Sequence, residues 1–284
     1  MFSYAKAGKP LPEVFELIAV GNELLIGKTL NTNIHWISGE ITRLGGFVRR
    51  ATVVRDELDE ISAAVREAIQ RKSSWILTTG GLGPTFDDMT LEGVAKAMER
   101  KLVLDKKAVE YLTISYERAK KQGLVKSYAL TEARRKMVML PEHSKALPNS
   151  VGTAPGVITR EKGCTIVCLP GVPAEMRAIM KESVLPEISK ALGPNYFCEG
   201  ILLVSSVIES ILAPFIKKAM KNNPKAYIKS HPKGIVDGTS RIELSITTTA
   251  TSKEAAEKII EDALDEMQNS VLKLRGKILK RAID

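Results

Sequence analysis

Three short segments that read as strands, Val14 to Val20, Phe47 to Val54 and Trp75 to Thr79, alternate with three stretches whose apolar residues recur at helical spacing. Asn31 to Leu44 carries Ile34, Ile37, Ile41 and Leu44 on one face, and Gly45-Gly46 ends it. Ile61, Val65, Ala68 and Ile69 mark the second stretch; Leu91, Val94, Ala95 and Met98 mark the third. This β-α-β-α-β-α rhythm predicts a parallel sheet with helices on both faces. The fold class is therefore α/β, a three-layer α/β/α domain around a mostly parallel sheet. Ligands on such sheets bind beyond the carboxyl ends of the strands.

Further along, residues 105–137 read as helical and basic, with Gly123 as a break. Met137 to Leu140 and Lys145 to Leu147 read as short extended pieces. Gly156 to Arg160 and Gly163 to Leu169 form a predicted hairpin around Glu161-Lys162. Pro170-Gly171-Val172-Pro173 is a rigid turn, and Ala174 to Leu192 a helix interrupted near Pro186. Gly193-Pro194-Asn195 marks a boundary. The expected division is an extension over 1–13, an α/β domain over 14–193 and a small α+β domain over 197–284. In the last, Ile201 to Val207, Ala226 to Ser230 and Arg241 to Thr249 read as strands, and Ile211 to Met220 and Lys253 to Met267 as helices. The remaining segment, 269–284, with Val271, Leu272, Leu274 and Ile278, is expected to pack on a partner surface.

Composition narrows the function classes. No apolar run approaches the roughly 18–20 residues of a spanning helix, so no membrane partner is expected. Met1 to Pro12 has no apolar core segment of a signal peptide, and the expected compartment is the cytosol. Cys164 and Cys168 stand four residues, about 13 Å, apart along one predicted strand, too far for a disulfide or a shared metal. The net charge of +9 is uneven: residues 100–137 hold eleven Lys/Arg against four Asp/Glu, and residues 197–284 hold fourteen against eleven. That first excess allows attraction to an anionic ligand, but on charge alone a solvated helix face is the favoured reading.

The most informative motif is Thr78-Thr79-Gly80-Gly81-Leu82-Gly83-Pro84-Thr85-Phe86-Asp87-Asp88-Met89-Thr90, between a predicted strand and a predicted helix. Glycines let backbone amides approach a phosphate, and a helix N-terminus favours its charge. Two carboxylates follow at once, which suits metal-assisted chemistry on a nucleotide-like ligand. A plain strand-to-helix loop with Asp88 or Thr90 as N-cap is the simpler alternative. Four other segments recur at strand ends: Gly21 to Gly27 with Asn31-Thr32-Asn33, Arg55-Asp56-Glu57, Asn149 to Gly156, and Leu169 to Glu175. Each has a structural explanation; Asn31 and Asp56, for instance, suit helix N-caps. Together they predict one shared site. Asp88 with Asp56 is the best pair for a divalent metal or for positioning water, and Arg135 and Lys136 are the candidates to neutralise phosphate.

These motifs resemble the CinA family, whose N-terminal domain has a molybdopterin-binding, MoaB/Mog-like fold. The matching pieces are Gly21-Asn22-Glu23-Leu24-Leu25-Ile26-Gly27, Asn31-Thr32-Asn33, Gly80 to Thr85, Asp87-Asp88-Met89-Thr90, Gly152-Thr153-Ala154-Pro155-Gly156 and Leu169 to Pro173. The resemblance covers residues 14–192; residues 200–268 resemble the family's small KH-like domain more weakly. It implies a domain that binds a nucleotide or pterin phosphate, with Asp56 and Asp88 in the active site. In CinA proteins this domain is associated with metal-dependent hydrolysis of ADP-ribose, and a related domain acts on FAD. It also implies a homodimer. The family's C-terminal amidase domain has no counterpart here, so deamidation is not expected.

The resulting expectation is a hydrolase of a nucleotide pyrophosphate, of ADP-ribose or FAD type. Asp88, Asp56 and Asp87 are its catalytic candidates, with Asp88 and Asp56 on the metal. Thr79, Gly80, Gly81 and Gly83 would hold phosphate with Arg135 and Lys136. Glu23, Asn31, Asn33, Gly152, Thr153, Gly156, Pro170 and Gly171 would complete the pocket. A molybdopterin-binding or adenylating protein is the first rival. A nucleic-acid-binding module is the second, opposed by few aromatics and by Gly234-Ile235-Val236-Asp237-Gly238 in place of a G-x-x-G loop.

Overall fold

The structure, a computed structural model, describes residues 13–284 except 124, 126 and 128. The expected extension over 1–13 thus lies, apart from Glu13, outside the described residues. The contacts form two units: one runs to Thr42 and resumes at Gly46–Leu192, the other holds Arg43–Gly45 and Gly193–Asp284.

In the first unit the elements follow in the order β1 (Val14–Val20), α1 (Asn22–Leu25), α2 (Thr32–Arg43), β2 (Phe47–Val54), α3 (Leu58–Gln70), β3 (Trp75–Thr79) and α4 (Thr90–Ala97). Then come β4 (Leu102–Leu104), α5 (Lys106–Lys121), α6 (Glu132–Lys136), β5 (Met139–Pro141), β6 (Lys145–Leu147), β7 (Gly156–Glu161), β8 (Cys164–Leu169), α7 (Pro173–Ile179) and α8 (Leu185–Leu192). A six-stranded sheet has the order β2-β1-β3-β8-β7-β6. The first four strands are parallel, and β7 and β6 run antiparallel to their neighbours. Central strands β3 and β8 are buried throughout, which explains their unbroken apolar runs. Edge strand β2 carries Arg49 and Arg50 and is mostly exposed.

Two details depart from the sequence reading. The one-turn helix α1 and strand β4, which pairs with β5, were not anticipated. Both are too short to show periodicity. The break at Pro186 is a π turn over Met180–Val184 joining α7 to α8. A proline cannot donate the helical bond, and a widened turn just before it accommodates the ring.

The second unit contains β9 (Tyr196–Ser205), α9 (Glu209–Asn222), β10 (Tyr227–Val236), β11 (Thr239–Ala250), α10 (Lys253–Lys273) and β12 (Lys277–Ile283). Its sheet is antiparallel, in the order β10-β11-β9-β12. Alternate residues Leu202, Val204, Leu244 and Ile246 point into a core closed by Ile260, Ala263, Leu264 and Met267 of α10. Gly200 lets that helix approach, since a Cβ there would stand 2.5 Å from Ile260 Cγ2. The structure corrects the reading of 269–284. Val271 is fully buried in this unit's own core, Leu274 and Ile278 pack against it, and β12 adds an edge strand to β9. Gly238 closes a hairpin turn with Asp237, both at positive φ, between β10 and β11. Among the described residues, no helix is long and apolar enough to cross a membrane.

Candidate functional site

The carboxyl ends of β1, β2, β3 and β8 are tied together before any side chain is considered. The Gly21 amide donates to the Val54 carbonyl at 3.1 Å, and the Gly80 amide to the Leu169 carbonyl at 3.0 Å. Gly80 sits at φ +104, and a Cβ there would lie 2.1 Å from the Val20 carbonyl oxygen. Only glycine lets β3 leave the sheet this close to β1. Gly171 passes on the other side, its virtual Cβ 3.4 Å from Gly80 Cα.

Thr79, Asn33 and the Pro170-Gly171 turn form the floor. The Thr79 hydroxyl donates to the Pro170 carbonyl at 3.0 Å and accepts from Asn33 Nδ2 at 2.9 Å. Asn33 Nδ2 also donates to the Gly171 carbonyl at 2.8 Å. The Asn33 side chain is buried, yet its Oδ1 has no partner among the described residues. Asn31 caps α2, accepting from the Ile34 amide at 3.0 Å. Thr79 and Asn31 are thus engaged within the fold, while Asn33 keeps one free acceptor.

The β3–α4 loop presents both amides and acids. Thr90 is fully buried and locks the loop, its hydroxyl donating to the Gly80 carbonyl at 2.7 Å and its amide to the Gly81 carbonyl at 3.1 Å. Met89, rather than Asp88 or Thr90, is the N-cap of α4, and no side chain caps it. Among the described residues, the successive amides of Gly81, Leu82 and Gly83 have no acceptor. Gly81 is at φ +64 and Gly83 lies against Asp88, where a Cβ would stand 2.5 Å from Oδ2.

The acids gather beside this loop. Asp88 Oδ2 accepts from the Thr85 amide at 2.8 Å and lies against the Thr85 hydroxyl. That hydroxyl also stands 2.6 Å from Asp87 Oδ1. One hydroxyl proton cannot serve both carboxylates, so one acidic oxygen remains for another donor or a cation. Asp56 is not the cap of α3, a place taken by Glu57; its Oδ2 accepts from the Asn22 amide at 2.7 Å. Glu23 folds back over Gly21, whose virtual Cβ would lie 2.6 Å from its Oε1. Burial pushes the Asp56 carboxyl up, the Asn22 bond opposes this, and the fields of Glu23, Asp87 and Asp88 raise it further. Asp87 is held below the usual range chiefly by the Thr85 hydrogen bond and its own amide, with help from Lys136.

The remaining candidates divide. Lys136 Nζ donates to the Thr85 and Phe86 carbonyls at 2.8 and 3.3 Å. Arg135 is exposed and has no side-chain partner among the described residues. Gly152 belongs to a pinned loop, and Gly156 opens β7. Asn149 Oδ1 accepts from the Val151 and Gly152 amides at 3.1 and 2.8 Å, Glu175 presses on Gly152, and a Cβ at Gly156 would meet Ile179. Arg118 donates to the Ser150 and Gly152 carbonyls. Thr153, half-buried, makes no such bond. Sequence reasoning missed Thr85, Thr90, Asn149 and Glu175 as site-forming residues. All four stood within the quoted motifs, but their partners are set by the fold.

Six of the seven large apolar side chains that are more than half exposed among the described residues of this unit lie on the one-turn helix α1 or on loops at this edge. They are Leu25, Ile26, Leu30, Phe86, Val151 and Val172; Phe86 is 86% exposed. An apolar collar thus surrounds a polar floor.

A larger cavity, about 860 Å³, opens at the opposite edge, between Arg66, Lys72, Ser73, Glu99 and Lys162. Its hydroxyls are engaged: Ser73 with Glu16 and Arg49, Ser74 with the Val14 amide. The carboxyl edge, with its free amides, is the better site.

No group of three or more His, Cys, Asp or Glu side chains converges as a metal cage among the described residues. An ion of magnesium type keeps several waters and needs only one or two carboxylates plus ligand phosphates. Burial is the main cause of the raised Asp56 carboxyl, and a cation would relieve only the smaller part due to Glu23, Asp87 and Asp88. The buried thiols are poor ligands: burial pushes Cys164 and Cys168 up to about 12.

Residues 16–190 match the family described as probable molybdopterin binding domain. A protein of Metallosphaera sedula is 38% identical over 261 residues, 92% of this chain and 95% of its own. Protein PAE0875 of Pyrobaculum aerophilum is 41% identical over 251 residues, 88% of this chain and 91% of its own. The crystal structure of the protein CinA, with unknown function, from Thermoplasma acidophilum is 42% identical with a TM-score of 0.55. It covers 62% of this chain and 98% of the other. The chain belongs to the family of probable molybdopterin-binding domains, and its first unit is similar to the CinA protein of Thermoplasma.

Proposed function

We propose that the carboxyl edge binds a phosphate-bearing small molecule with a flat head group and hydrolyses a nucleotide pyrophosphate of ADP-ribose or FAD type. The observation that carries this reading is the run of acceptor-free amides at Gly81, Leu82 and Gly83 beside Asp56, Asp87 and Asp88. Three adjacent N–H groups form a concave donor surface for a phosphate oxygen. Arg135 adds the mobile positive charge. Asn33 Oδ1 accepts from an N–H or O–H of the head group, and Phe86 and the neighbouring collar cover its apolar faces. Asp88 and Asp56 hold a divalent cation if one is bound, and that ion would offset charge on the pyrophosphate. Asp56, whose carboxyl is raised, is suited to exchange a proton with an attacking water.

A second reading is favoured by the family match: the site holds a molybdopterin-type ligand without hydrolysing a pyrophosphate. It uses the same amides and the same collar. A thermal-shift panel of ADP-ribose, FAD, ATP and a molybdopterin source, with and without magnesium, separates the two. A ligand at a hundredfold excess over its Kd adds about 2.7 kcal/mol. Magnesium-dependent stabilisation with release of a monophosphate supports hydrolysis. Stabilisation by the pterin alone supports the second reading, and no shift with any of them refutes both. The resemblance to CinA also motivates a homodimer; a monomer by light scattering at micromolar concentration would refute it.

A further inference from the structure

We propose that Lys136 is a positioning residue, which clamps the β3–α4 loop through two backbone carbonyls rather than binding ligand phosphate; this rests on the reading that the loop forms the site. The Lys136 ammonium donates to the Thr85 carbonyl at 2.8 Å and to the Phe86 carbonyl at 3.3 Å, some fifty positions back in the chain. Thr85 is the residue that holds both acids. Its amide and hydroxyl meet Asp88, and its hydroxyl meets Asp87. Fixing Thr85 therefore fixes both carboxylates, and fixing Phe86 fixes the most exposed side chain of the collar.

The clamp has a rigid base. Lys136 ends α6, whose first turn is capped by the Thr131 hydroxyl. Met137 and Val138, immediately after it, are buried at 3% and 0% exposure. Other cations of this basic stretch are engaged in the same manner. Arg134 lies over the Tyr116 ring at 3.8 Å and donates to the Ser127 and Ala129 carbonyls. Arg118 holds the Ser150 and Gly152 carbonyls. Four of the eleven cations of residues 100–137, namely Arg100, Arg118, Arg134 and Lys136, hold backbone carbonyls. Arg135 is the neighbour left with no side-chain partner among the described residues.

The clamp is separable from a phosphate contact because it acts before any ligand arrives. Hydrogen–deuterium exchange of the Thr85 and Asp88 amides, which donate to Asp88 Oδ2 and the Thr85 carbonyl, is the primary readout in the ligand-free protein. Lys136→Met should raise exchange there at least tenfold and leave the strands unchanged. Lys136→Arg, which still donates to two carbonyls, should restore it to within about threefold of wild type. Arg135→Gln should leave loop exchange unchanged, yet weaken ADP-ribose or pyrophosphate binding in calorimetry and flatten its salt dependence. If Lys136→Met unfolds, Lys136→Gln, with its shorter donor, is measured in the same way. Wild-type loop exchange in a folded Lys136→Met protein would overturn the proposal and return Lys136 to the phosphate-binding set. The exchange result stands even if neither probe binds, so failure of the clamp and failure of the proposed function are distinguishable.

Discussion

The two edges of the six-stranded sheet handle charge in opposite ways. At the amino edge, Glu16 of β1 is only 2% exposed, yet Arg49, Arg71 and Ser73 all bond to it. Burial alone would raise its carboxyl, but those hydrogen bonds win and hold it below the usual range. At the carboxyl edge, Asp56 has one amide donor, three acidic neighbours and a raised carboxyl. The buried carboxylate at one edge is fully partnered, whereas the other edge is left with unmet polar groups. The contrast teaches that cavity size is a poor guide in this fold. The cavity of about 860 Å³ lies over the partnered carboxylate, a cavity of only about 70 Å³ lies at Gly81, Leu82, Gly83 and Asp88, and the proposed chemistry lies at the latter.

The sharpest way to break this comparison is Glu16→Gln. Arg49 and Arg71 lose their buried carboxylate but stay partly solvated, and Arg71 keeps Glu67, so a loss of about 3 kcal/mol is expected in urea unfolding. Glu16 is depressed in the folded state. Its contribution is therefore complete above the ordinary carboxylate value of 4.5 and disappears as pH falls through the lower folded value. A loss that does not shrink at low pH would mean that the network contributes through packing alone.

A smaller cost is expected at Gly80. Gly80→Ala places a Cβ against the Val20 carbonyl in a backbone region that disfavours it, costing about 1–3 kcal/mol. Ligand binding should fail with it, because the free amides begin one residue later. A thermal melt together with calorimetry checks both; unchanged binding would detach the amides from the site. At Phe86, truncation should leave stability unaltered and weaken a ring-bearing ligand by about 1 kcal/mol, roughly fivefold. Equal weakening of FAD and inorganic pyrophosphate by Phe86→Ala would argue against the head-group role.

The acids should give the smallest effect on stability and the largest on function. Asp56 is raised, so its ionised form is penalised in the folded state above that value and relieved as pH falls through it. Asp56→Asn should therefore be neutral or slightly stabilising at pH 7, within about 0.5 kcal/mol, with the difference vanishing in acid. Asp88→Asn should keep the fold and abolish magnesium-dependent turnover. Full turnover in a folded Asp88→Asn protein would remove the cation assignment.

Much of the architecture was legible from periodicity. Val14 to Val20, Phe47 to Val54 and Trp75 to Thr79 are strands with the predicted limits; buried β1 and β3 show near-continuous apolar runs, whereas edge strand β2 was legible from its place in the β-α alternation. The acids Asp56, Asp87 and Asp88 were likewise legible, since loops after consecutive parallel strands must emerge at one edge. Other features were not. The 269–284 segment carries apolar residues that a surface contact or an internal strand would explain equally well, and only pairing with β9 decides for the strand. Lys136 beside Arg135 reads as two equivalent cations, although the fold engages Lys136 and leaves Arg135 exposed with no side-chain partner among the described residues.

The sequence by itself determined which residue types stand at the carboxyl edge and that a glycine-rich loop links a buried strand to a helix. Local chemistry is sufficient for this, because strand and helix periods and the conformational freedom of glycine are properties of neighbouring residues. The tertiary structure decided which of those polar groups remain available. Thr79, Asn31 and Lys136 are engaged with Pro170, Ile34 and Thr85, whereas Gly81, Leu82, Gly83 and Asn33 Oδ1 are not. Most of those partners lie far apart in the chain. A hydrogen bond across such a separation exists only once the sheet has brought its strand ends together, so no reading of neighbours could assign it.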